Sequence, residues 1–174
     1  MNLMELSQYR KIAVVGSPGA GKSYFSKQLA AWLGLPLYHL DNYWHLPGWL
    51  TIPKEEFIAR QREMIQADAW IIDGNYGETI ELRIASAQLV VFLDINRFVC
   101  LWSAVRRTGK KRDDLPEYLE EPKWFSREFA EFAKFIWQYP KSGRKKVLTL
   151  CEKYPTATLW RVHSRRELRR TLVR

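Results

Sequence analysis

The sequence predicts a parallel α/β sheet with a phosphate-binding loop at the end of its first strand. Three observations predict it. Five short apolar stretches alternate with helical ones, the pattern of strands joined by crossover helices. The first, KIAVVG (11–16), is continuously apolar, as a strand buried on both faces must be. GSPGAGKS (16–23) follows it and matches GxxxxGK[ST] at every fixed position.

The elements follow in order. A helix begins near Lys22, runs through YFSKQLAAWL and stops at Gly34, a good C′ residue with Pro36 just beyond. LPLYHLD (35–41) reads as the second strand, and the aromatic, turn-rich NYWHLPGWLTI as a loop. Pro53 suits a first helical turn, and Glu55 and Glu56 suit its dipole, so a second helix runs to about Asp68. WIID (70–73) is strand three and Gln88 to Asp94 strand four. Arg97 to Thr108 forms an apolar-faced helix. Residues 109–122 are charged, carry two prolines and show no apolar period. Phe125, Phe129, Phe132 and Ile136 recur at helical spacing and read as a packing stripe. A helical stretch at 140–153 leads to strand five, ATLWRVH. Ser164 and Glu167 then form a capping box before a last basic helix. No linker or repeat divides the chain, so residues 1–174 read as one domain.

Composition narrows the function classes. An apolar content of 47% excludes a disordered chain. Cys100 and Cys151 form no CxxC and read as reduced thiols. There is no apolar h-region and no membrane-length run, so the expectation is a soluble, cytoplasmic protein. A formal charge of +9 points to an anionic partner, with basic clusters at Arg106 to Arg112 and at the C-terminus.

In the glycine-rich loop, backbone N–H groups form an anion nest reinforced by the helix N-terminus. Gly16, Ser17, Pro18, Gly19, Ala20, Gly21, Lys22, Ser23 and the adjoining Tyr24 make the candidate ATP set. Lys22 is placed to reach the β- and γ-phosphates and Ser23 to ligate Mg²⁺. No NKxD-type guanine motif follows strand four, which argues against a GTPase. The size argues against a motor, and a kinase is favoured.

GSPGAGKSYFSKQLA, LYHLDNYWHLPGW, KEEFIARQREMI, WIIDGNYGETIELR, VVFLDINRFVCLW and HSRREL together resemble the adenylate-kinase-like small kinases. More narrowly, they resemble the bacterial DNA topology modulation proteins. The resemblance covers most of the chain. It implies a three-layer P-loop fold with a five-stranded parallel sheet in order 2-3-1-4-5. It also implies an acceptor side around strand two and the second helix, and a short lid at about 109–122. The lid contains no cysteine, so no zinc is expected there. With that strand order, Asp73 lies beside Lys22 and Ser23 and holds a water on Mg²⁺. Asp94 falls on the other side, as an N-cap or loop-fixing carboxylate.

On the acceptor side, Asp41 is a candidate contact or base for an acceptor hydroxyl, or else a turn-stabilising residue. Trp44 and Trp49 either stack a base or roof the sheet. Asn75 and Tyr76, next to Gly74, line the cleft. Arg60 and Arg83 are candidate clamps for an acceptor phosphate or carboxylate, or else ordinary helix charges. Arg106, Arg107 and Arg112 fall where the family places its lid, and Arg127 follows it. These residues lead to an expected reaction: transfer of the γ-phosphoryl group of Mg-ATP to a small acceptor, by resemblance a nucleoside monophosphate. In place of the Phe-Pro-Arg-type segment of adenylate kinases, however, this chain has Asn75-Tyr76-Gly77. The alternatives are a nucleotide-switched DNA-binding regulator, with DNA as a partner, and a plain ATPase.

Overall fold

The computed structural model describes residues 1–108 and 126–172. Its sheet has five parallel strands: β1 (Lys11–Gly16), β2 (Leu37–His39), β3 (Trp70–Asp73), β4 (Leu89–Leu93) and β5 (Thr158–Val162). Their spatial order is β2-β3-β1-β4-β5, as the resemblance implies. β3 and β4 flank β1, so their carboxyl ends open on either side of the phosphate loop.

The helices are α1 (Leu3–Leu6), α2 (Lys22–Leu33), α3 (Asp41–Trp44), α4 (Lys54–Gln66), α5 (Ile80–Ser86), α6 (Arg97–Arg107), α7 (Arg127–Gln138), α8 (Gly143–Lys153) and α9 (Arg165–Leu172). They cover both faces of the sheet, and alternate strand residues serve alternate layers. Ile12, Val14, Ile71, Val91 and Trp160 pack with Phe25, Leu29, Cys100, Ile136 and Leu168. Ala13, Val15, Ile72, Val90 and Phe92 pack with Phe57, Met64, Ile84, Val147 and Leu150. Complete coverage on both faces explains why the central strands are apolar without alternation. Cys100 and Cys151 are free and buried. No described helix is long and apolar enough to cross a membrane.

Several expectations need correcting. The second strand is only three residues long, and Asp41 does not end it. Asp41 instead opens α3, two residues beyond the end of β2. The 42–52 region is structured rather than an open loop. It contains α3, a 3₁₀ turn at Pro47–Trp49 and an antiparallel bridge from His45 to Thr51. Residues 80–86 form a helix that the sequence reading left out. The capping box at Ser164 is shared across two residues. Ser164 Oγ accepts from Glu167 N, but Glu167 Oε2 accepts from His163 N rather than from Ser164 N. The aromatic stripe packs as expected: Phe129, Phe132 and Ile136 face the core. Phe125, the 109–122 insert and Arg112 lie outside the described residues.

Candidate active site

The carboxyl ends of the strands open into a cavity of about 1620 Å³. Its floor is the phosphate loop, from Pro18 through Tyr24. The loop turns with Gly19 at φ 77° and Gly21 at φ 102°, left-handed conformations that favour glycine. A Cβ on Gly19 would collide with the carbonyl of Cys100, so α6 fixes how close the loop can come. Lys22 Nζ donates to the carbonyl of Ser17 at 3.2 Å, folding back over the loop. Burial pushes the lysine pKa below its ordinary value, and the Asp73 and Asp41 carboxylates oppose that shift. Both acids therefore act on the same ammonium group.

Asp73 is buried at the end of β3. One of its oxygens, Oδ2, lies 2.9 Å from His39 Nδ1. The other, Oδ1, is buried with no hydrogen-bond partner among the described residues. An unsatisfied carboxylate oxygen beside a lysine is costly unless a ligand completes it. This arrangement fits Mg²⁺ held by Ser23 with a metal-bound water on Asp73. No group of three or more potential metal-ligating side chains occurs among the described residues, so any ion needs phosphate and water oxygens as well. The pairing of β2 with β3 places His39 opposite Asp73.

Asp94 has a different role. Arg144 Nε donates to one oxygen at 2.8 Å, and Arg161 donates to the other through Nη2 at 2.6 Å and Nε at 2.9 Å. It ties β4 to β5 and α8. The helix after it is capped by Asn96, whose side chain accepts from Phe98 N. We expect Asp94→Ala to cost about 1–3 kcal/mol, since it removes a buried carboxylate that bonds two arginines, each more than a third exposed and able to turn to water. Asp73→Asn should leave thermal stability nearly intact and abolish the Mg²⁺ dependence of nucleotide binding. Melting curves and Mg²⁺ titrations of both variants separate the two roles.

On the acceptor side, Asp41 accepts a 2.6 Å hydrogen bond from the Tyr76 hydroxyl. Burial and the neighbouring carboxylate push the Tyr76 pKa upward, so the phenol stays protonated and donates. Tyr76 is held by edge contacts from Trp44 and Phe57. Asn75 Oδ1 accepts from the Tyr139 hydroxyl at 3.0 Å. Gly74 has φ 151°, and a Cβ there would meet Leu40 Cβ at 2.9 Å. Glycine at this position lets the strand end turn tightly into the site.

Not every predicted residue reaches the cavity. Asp41, Gly74, Asn75, Tyr76, Arg106 and Arg107 line it, as does Trp49. Arg107 lies near enough to Lys22 to depress the lysine's pKa. Trp44 does not line it; its ring packs on Phe57 at 4.8 Å and forms support behind the wall. Arg60 pairs with Glu56 one turn away on α4, and Arg127 pairs with Glu131 on α7. Arg83 is fully buried. It donates to Gln61 Oε1, to Thr79 Oγ1 and to the carbonyls of Gly74 and Asn75. It braces the turn from behind, and as an acceptor clamp it is misplaced. Burial pushes its pKa down to about 9, so it remains charged at neutral pH.

Arg165 was noticed in the sequence only as part of a basic cluster. Its guanidinium donates to the carbonyl of Gly19 and to Ser103 Oγ, closing the cavity from α9. Arg169, one turn on, also lines it. The HSRREL segment was the only signal, and its weak pattern does not say which arginine turns inward.

No protein-family model matches this chain, and no curated protein does. Solved structures do. Shikimate kinase from Acinetobacter baumannii, in complex with shikimate, aligns at TM-score 0.58 and 15% identity, over 98% of this chain and 94% of that one. Shikimate kinase from Bacteroides thetaiotaomicron aligns at TM-score 0.53 and 18% identity, over 94% of both chains. The enzyme from Aquifex aeolicus aligns at TM-score 0.53 and 18% identity, over 92% and 90%. At these identities the likeness is one of architecture. The chain has the shikimate-kinase-like P-loop fold, with its five-stranded parallel sheet in order 2-3-1-4-5.

Proposed function

We propose that this protein is an ATP- and Mg²⁺-dependent phosphotransferase acting on a small hydroxylated acceptor. The observation that carries this reading is the convergence of Asp73 and Asp41 on Lys22 within one cavity. One carboxylate retains an open oxygen suited to a metal-bound water, and the other stands on the acceptor side, where it accepts from the Tyr76 hydroxyl. The likeness to shikimate kinases supports a kinase of small metabolites. The narrower resemblance to DNA topology modulation proteins rests on the sequence motifs alone.

In this reading the loop amides and Lys22 hold the β- and γ-phosphates, and Ser23 and Asp73 hold Mg²⁺. When bound, the ion neutralises charge on the phosphate oxygens. The acceptor hydroxyl lies against Asp41, whose Oδ1 is engaged by Tyr76 and whose other oxygen takes the hydroxyl proton. The hydroxyl oxygen bonds to the γ-phosphorus as the bond to the β,γ-bridging oxygen breaks, and ADP leaves. Arg107, Arg106 and Arg165 add positive charge where the transferring group becomes most polar. Of the lid arginines, Arg112 remains a candidate from sequence alone.

An ADP-release screen over nucleosides, nucleoside monophosphates and hydroxylated metabolites tests this, with the product followed by phosphorus NMR. Acceptor-stimulated ADP is the expected result. Asp41→Asn should lower the acceptor-stimulated rate about a hundredfold while leaving ATP affinity within about twofold. Steady ADP release that no acceptor changes would identify a plain ATPase. ATP-modulated DNA binding at physiological salt, without stimulation, would identify the regulator.

A further inference from the structure

The cavity's cations and its acceptor-side groups come from different elements, and Glu128 of α7 also lines it. Its cations come from the phosphate loop with α2, and from α6 and α9: Lys22, Lys27, Arg106, Arg107, Arg165 and Arg169. The opposite wall is made by His39, Asp41, His45, Trp49, Asn75 and Tyr76. Among the described residues, that wall presents a carboxylate and aromatic rings but no lysine or arginine. Burial lowers the His45 pKa, with Asp41 only opposing it, so His45 is neutral at pH 7. The arginines best placed in sequence to answer an acceptor anion are used elsewhere. Arg83 sits behind the wall on four acceptors, and Arg60 pairs with Glu56.

An acceptor phosphate or carboxylate needs a positive fork to replace its water. At this wall it would meet Asp41, with Asp73 beyond, and like-charge contacts of that kind disfavour binding. Aromatic faces at Trp49 and Tyr76 suit an uncharged ring or a cation.

We propose that the acceptor carries no phosphate or carboxylate and is a neutral or cationic alcohol, with its reacting hydroxyl at Asp41 and its body against Trp49 and Tyr76. This rests on the phosphotransferase reading above and specifies the substrate class of the same site. It departs from the nucleoside monophosphate that the sequence resemblance implies.

The test uses four matched pairs of probes with Mg-ATP: adenosine and its monophosphate, thymidine and its monophosphate, shikimate methyl ester and shikimate, and serinol and glycerate. The expected result is acceptor-dependent ADP release in which the neutral or cationic member exceeds its anionic partner by at least about tenfold in kcat/KM. An anionic member equalling or exceeding its partner in any stimulated pair overturns the proposal and leaves a kinase in place. Silence from all eight probes, with Mg-ATP bound in a Lys22-dependent manner, also overturns it. The phosphotransferase reading fails separately, if ADP release or Mg-ATP binding is unchanged in Lys22→Ala.

Discussion

Lys22→Ala is expected to lower phosphoryl transfer by about a hundred- to a thousandfold, the scale of losing one preorganised charged donor at developing phosphate charge. The fold should survive. Lys22 has a lowered pKa because burial penalises its charge more than Asp73 and Asp41 reward it. Removing that ammonium relieves a cost, so the melting temperature should stay level or rise. The pH dependence has a definite sign. Between the lowered pKa in the folded state and 10.5 in the unfolded chain, the unfolded state binds more protons. Stability therefore gains a rising contribution with pH across that window, and the alanine variant lacks it. Mg-ATP should raise the melting temperature of the wild type but not of the variant. Transfer at an undiminished rate in Lys22→Ala would exclude the phosphate-loop mechanism.

Arg83→Met is expected to be the most destabilising single change in the site. Methionine matches the volume roughly but abandons Gln61 Oε1, Thr79 Oγ1 and the Gly74 and Asn75 carbonyls. Gln61 is itself fully buried, so its oxygen cannot turn to water. Removing one side of such a buried network costs about 3–5 kcal/mol. That corresponds to a fall in melting temperature of about 6–20 °C at this chain length. Arg83→Lys restores the charge without the planar fork and should recover only part of it. In whatever folds, the acceptor-dependent rate should fall more than ATP affinity, because the brace holds Asn75 and the chain leading to Tyr76. Melting curves with separate KM values for ATP and acceptor decide this. Equal losses in both would show that Arg83 supports the whole sheet edge instead.

The contrast between Lys22 and Arg83 shows what the sequence could reveal. Lys22 belongs to a contiguous motif, where spacing alone defines the loop conformation and hence the position of the ammonium. The five strands were legible for a similar reason: each is a local apolar run, and coverage on both faces removes any need for alternation. Arg83 depends on Gln61, 22 residues earlier, and on two carbonyls that face it only because Gly74 turns the chain. Nothing local separates such a brace from a ligand clamp. α5 was missed because its seven residues carry too little periodicity to stand out beside the Gly74–Gly77 turn. Asp73 could be preferred to Asp94 once a strand order was available. Its pairing with His39 could not be read, because it depends on the register of a three-residue strand.

Arg165 reaches the Gly19 carbonyl across 146 positions of sequence, and Thr171 bonds the Met1 carbonyl from the same helix. The phosphate loop and one of its walls are therefore supplied by segments far apart in the sequence. A chain truncated before α9 would possess the whole glycine-rich motif but an unfinished pocket. Under the proposed function, removing α9 should yield a chain that folds its sheet but holds nucleotide poorly, because Arg165 no longer reaches the Gly19 carbonyl.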